Sequence, residues 1–103
     1  MDKIETMVND IQNIILSDLS KPEKAAKAIQ KFSGLELTYF KKPILNHLYK
    51  RLGNIRSILS RYPGIKSYDD YALITGRHLE DILENIQELC LVLKLTSASP
   101  GGK

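Results

Sequence analysis

The chain has 103 residues, of which 43% are hydrophobic and 26% charged, a balance that suits one folded domain and excludes a largely disordered polymer. Its formal charge of +3 is unevenly laid out: residues 1–18 hold four acids against Lys3, residues 19–66 hold eleven cations against Glu23 and Glu36, and residues 67–103 hold six acids against three cations. The three segments therefore carry −3, +9 and −3, a pattern that either pairs internally or presents a basic face to an anionic partner.

The first helix is expected from Asp2 to Leu19, where Ile4, Met7, Val8, Ile11, Ile14, Ile15 and Leu19 recur at helical spacing opposite Glu5, Asn9, Gln12 and Asn13. Ser20-Lys21-Pro22-Glu23 fits a capping box with proline in the first turn, opening a second helix that ends at Ser33-Gly34. That helix carries Ala25, Ala26, Ala28, Ile29 and Phe32 on its apolar side. Lys24, Lys27 and Lys31 project together from the other. Leu35–Phe40 alternates like a strand but has no partner strand, so it is expected to be a connector whose leucines plug the core.

A third helix is expected within Phe40–Arg61, with Pro43 in its first turn. Ile44, Leu45, Leu48, Leu52, Ile55 and Leu59 form its apolar stripe, and the segment contains six cations and no acid. At 100° per residue, Lys42, Asn46, Lys50, Asn54, Ser57 and Arg61 fall on the far side as a ladder of donors. Pro63-Gly64 predicts a type II turn. Ser67 with Asp69 and Asp70 then predicts a capped fourth helix running to about Leu95, its inner side lined by Tyr68, Ala72, Leu79, Ile82, Leu83, Ile86, Leu89, Cys90 and Leu93. A hairpin closed that tightly puts residues summing to about 129 level with each other, which matches Gly53 with Gly76 and suggests a close backbone crossing. It also makes Arg51, Arg56, Asp69 and Glu80 the candidates for cross-helix ion pairs.

The expected architecture is thus all-α: a small four-helix bundle-like domain over residues 1–95 with a long antiparallel C-terminal hairpin, followed by a disordered tail from Thr96 to Lys103. No stretch approaches the roughly 20 apolar residues of a membrane span, and no signal-peptide pattern opens the chain. A single cysteine, Cys90, cannot form an intrachain disulfide and reads as a small buried hydrophobe in a cytoplasmic protein.

No catalytic, cofactor or metal motif is present. His47, His78 and Cys90 lack ligand spacing, the glycines are isolated, and the acids Glu80, Asp81, Glu84 and Glu88 spread over solvated sides of one helix. The expectation is a non-catalytic interaction module, a small adaptor or accessory subunit with no cofactor. Its polyanion- or partner-binding residues would be Lys24, Lys27, Lys31, Lys42, Asn46, Lys50 and Arg61. Its protein interface, to a partner or a second copy, would be Leu73, Ile74, Leu91, Val92 and Leu95, because the end of the fourth helix is apolar nearly all round. One alternative is a nonspecific nucleic-acid binder with Tyr39, Phe40, Tyr49 and Tyr62 available for stacking. Another is an immunity- or antitoxin-type protein that neutralises one partner.

Overall fold

The computed structural model describes residues 3–33, 35 and 40–98, with side chains through 95. Among the described residues, four α-helices and one 3-10 helix make an all-α fold: α1 is Lys3–Leu16, α2 Lys21–Phe32, α3 Lys42–Leu59 and α4 Gly76–Ala98, with the 3-10 helix at Tyr68–Leu73. No strand occurs among the described residues.

Local chemistry sets the boundaries. Ser17 ends α1 earlier than periodicity suggests, its hydroxyl donating to the Ile14 carbonyl at 2.6 Å and accepting from the Leu19 N–H at 3.3 Å. The Ser20 oxygen caps α2 by accepting from the Glu23 N–H at 3.4 Å, and its hydroxyl donates to the Glu23 carboxylate at 3.1 Å. Pro22 costs nothing in that first turn, and Pro43 plays the same part in α3. Leu35 packs against the core and Phe40 is buried within it, as a core-plugging connector requires; residues 36–39, with Leu37, lie outside the described set.

The hub is α4, which packs against α1, α2 and α3. Among the described residues the largest fully buried side chains include Ile82, Ile86, Leu89 and Leu93 of α4, with Ile11 and Leu48 supplied by α1 and α3. Their steps of three and four residues put them on one stripe, and each such side chain contributes about 1.5–3 kcal/mol when buried. Cys90 lies in the same core, where burial pushes its thiol up to about 11 and keeps it protonated.

The segment before α4 departs from expectation. Tyr68–Leu73 is 3-10 rather than α, and Ile74 is extended at φ −75°, ψ 134°, so the expected single helix from Tyr68 is two elements. Ile74, Thr75 and Gly76 are weak helix formers in succession, which explains where the chain breaks. The break resets the helical phase: Tyr71 and Ile74 are buried, while Tyr68 and Ala72, expected inside, are exposed. Pro63-Gly64 does form a turn, closed by the Ile65 N–H on the Tyr62 carbonyl at 3.0 Å. Gly64 has no positive φ, so the geometry is not type II.

The longer connection displaces the α3–α4 register by nearly three turns, as the pairs Arg51–Glu88 and Asn54–Asn85 show. Gly76 opens α4 instead of lying inside it, and a Cβ on Gly53 or Gly76 would meet nothing within 4 Å. There is no close backbone crossing at these glycines. At the other end, α4 continues through Ala98, so Thr96, Ser97 and Ala98 extend the helix into the expected tail; residues 99–103 fall outside the described set.

Candidate interaction surface

Helix α3 is unbroken through Gly53, with Leu48 and Ile55 buried at the centre of its stripe and Ile44, Leu45, Leu52 and Leu59 half-buried beside them. Its outer side carries Lys42, Asn46 and Lys50, all exposed. Among the described residues none of Lys42, Lys50 and Arg61 is ion-paired with a carboxylate. Asn54 does not belong to that ladder. Its amide donates to Asn85 Oδ1 at 3.1 Å, so it faces α4. Arg61 lies at the seam with α4 as well, on the rim of a depression of about 380 Å³ lined by Ser57, Ile58, Arg61, Arg77, His78 and Asp81.

The lysines of α2 do not continue the basic face. Lys31 sits 3.7 Å from the Asp10 carboxylate of α1, and Lys24 is half-buried. Lys27 is exposed beside Glu23 and Asp69 around a second depression of about 410 Å³. Lys21 donates to Glu80 of α4 at 2.8 Å, a hydrogen-bonded ion pair that holds the Glu80 carboxyl below its usual range. Of the expected cross-helix pairings only that of Arg51 forms, and with Glu88 at 3.6 Å; among the described residues Arg56 and Asp69 join no ion pair.

The expected apolar interface also divides. Ile74 is part of the chain's own core at 5% exposure, and Val92 is half-buried against it. Leu91 and Leu95 are 52% and 64% exposed on the outer side of α4, and Leu73 is 62% exposed on the 3-10 helix. Arg51 meeting Glu88 places Asn46 and Lys50 level with this end of α4, and the exposed Lys94 lies between the two leucines in sequence. Of the four aromatics proposed for stacking, Phe40 is buried, Tyr62 is engaged internally, Tyr49 is exposed at 53%, and Tyr39 lies outside the described residues.

Two polar clusters had no forecast. Asn85, 7% exposed in the α3–α4 seam, donates to the Asp81 carbonyl at 2.8 Å and accepts from Asn54 and from Arg51 at 3.4 Å. An asparagine between Ile82 and Ile86 was the available signal. The Tyr62 hydroxyl accepts from the Thr75 N–H at 3.2 Å and bonds His78 Nδ1, with the rings edge-to-face at 5.6 Å. Nothing in periodicity marks that bracket, which depends on the chain's reversal at Pro63.

His78, Glu80 and Arg77 do not converge: His78 turns to Tyr62, Glu80 to Lys21, and Arg77 is exposed. Among the described residues no group of three or more His, Cys, Asp or Glu side chains is placed to hold a metal ion, and no helix is long and apolar enough to cross a membrane. Comparison with protein-family models, with curated proteins and with solved structures returned no match to this chain.

Proposed function

We propose that this protein is a non-catalytic helical interaction module of the cytoplasm, docking a protein partner through the outer side of the α3–α4 hairpin. The observation that carries the reading is the pair Leu91 and Leu95, more than half exposed on a helix whose opposite side is sealed. Leucines one turn apart on a surface helix anchor partners by burying area that costs little to leave water. The exposed Lys94 beside them in sequence and Lys50 of α3 level with this end suit a partner surface that carries carboxylates, since charges at a rim set orientation and encounter rate. The nucleic-acid alternative has less support, because Lys31 is paired within the chain and Phe40 and Tyr62 are not available to stack.

A photo-crosslinking side chain placed at Leu91 in the native cell tests the reading, with the exposed Asn13 of α1 as the control site. A discrete protein adduct at residue 91, absent from residue 13 and lost with Lys50→Glu, is the expected result. No adduct, or the same adducts from both positions, contradicts it. An adduct of doubled mass would make the partner a second copy of this chain.

A further inference from the structure

The depression between the end of α3 and the start of α4 holds two exposed arginines, Arg61 and Arg77, with Ser57, His78 and Asp81. Neither arginine is ion-paired among the described residues, although Asp81 lines the same depression. Two guanidinium groups facing one cavity repel each other unless an anion stands between them. Guanidinium is also the side chain best matched to forked recognition of phosphate oxygens. His78 is held in place here by Tyr62: assigning the phenol proton to Nδ1 leaves Nε2–H as the ring's remaining donor. The Tyr62 oxygen is itself fixed by the Thr75 N–H, so the ring is positioned before any ligand arrives.

The geometry points to this depression as a binding site for a phosphate monoester, gripped by Arg61 and Arg77 with Ser57 and His78 as further donors. The surroundings select against a polynucleotide. Asp81 closes one side, and Glu84 and Glu88 follow at the next turns of α4, so a strand continuing along the helix meets like charge. A single compact dianion avoids them, and a depression of about 380 Å³ is ample for it. The monoester is either a free phosphorylated small molecule or a phosphorylated side chain of a protein; the chemistry at the arginines is the same. The site is independent of the proposed docking leucines, which begin fourteen residues further along α4, or about 21 Å.

Titration of the full chain with inorganic phosphate, O-phosphoserine and a phosphoserine peptide, read from the backbone amide signals of Arg77 and His78, tests the assignment. Saturable shifts are expected, weakened about tenfold or more by Arg61→Ala and by Arg77→Ala, with a smaller loss for Arg61→Lys and almost none for Lys50→Ala. Both arginines are exposed, so the variants keep the fold, which unchanged signals elsewhere in the spectrum verify. Equal affinity for inorganic phosphate and the peptide identifies a free ligand, and tighter binding of the peptide identifies a modified partner. Absence of saturation, or shifts that survive Arg61→Ala with Arg77→Ala, overturns the site. An oligonucleotide without terminal phosphate that binds more tightly than phosphoserine overturns the monoester assignment in favour of a nucleic-acid backbone.

Discussion

Asn85 shows how one polar side chain sets a register. Its amide is satisfied on both sides, by the Asp81 carbonyl and by Asn54 and Arg51, so it stabilises only the pairing of α3 and α4 that brings those groups together. Asn85→Ala is predicted to cost about 1–3 kcal/mol by chemical denaturation. In a double-mutant cycle, Asn54→Ala should couple to it by at least about 0.5 kcal/mol; strict additivity would show that the bond contributes nothing. Asp70 works locally. Its carboxylate accepts from the Lys66 and Ser67 N–H groups at 2.9 and 3.2 Å, which hold its pKa below the usual value. A lowered folded pKa gives stability that is present above the ordinary carboxylate range and lost as pH falls through the lowered value. The stability gap between the protein and Asp70→Asn should therefore be widest near neutral pH and close in acid; a gap that grows in acid would refute the assignment. At this scale the sequence revealed residues whose chemistry is local, such as Ser20, Pro22, Pro43 and the buried Cys90. The cross-helix partners of Asn85 and the side-chain partners of Tyr62 are more than a dozen residues away, and no pattern in the sequence joins them.

Among the elements, α3 follows its sequence closely because its stripe, its proline start and the stop before Pro63 all agree. Gly53 is the one local conflict. It is exposed in the helix interior with open space around its missing Cβ, so Gly53→Ala should raise stability by about 1 kcal/mol. A loss on that substitution would mean that a neighbour crosses there after all. The 3-10 segment and α4 are where element-scale reading fails. Periodicity alone continues one stripe from Tyr68 to Leu93, since Tyr68, Ala72 and Leu79 are in phase with the core residues that follow. What breaks the helix is the weak run Ile74-Thr75-Gly76, together with burial of Tyr71 and Ile74 beside the other elements. Low helix propensity across that run opposes the continuous stripe, and the break prevails. Tertiary packing then chose the phase that hides the larger side chains.

For the whole molecule, the extended connection between α3 and α4 has the widest consequences. By shifting the register it moves Arg51 onto Glu88, brings Arg61 and Arg77 to one depression, and sets Lys50 level with the apolar end of α4. Total charge could not foretell this, because pairing depends on which acids stand level with which cations. The all-α class and the antiparallel hairpin were readable from stripes and turns; the central place of α4 was only implied by its apolar end, for which burial and docking were both open. The structure buries Leu89, Cys90 and Leu93 and leaves Leu91 and Leu95 exposed. Chemical denaturation of Leu91→Glu with Leu95→Glu, beside Leu89→Ala, tests this division most directly. The account predicts that the double variant stays within about 0.5 kcal/mol per substitution of the parent while Leu89→Ala loses about 2–5 kcal/mol. Unfolding of the double variant to a similar extent would make those leucines part of the core and leave no apolar docking surface.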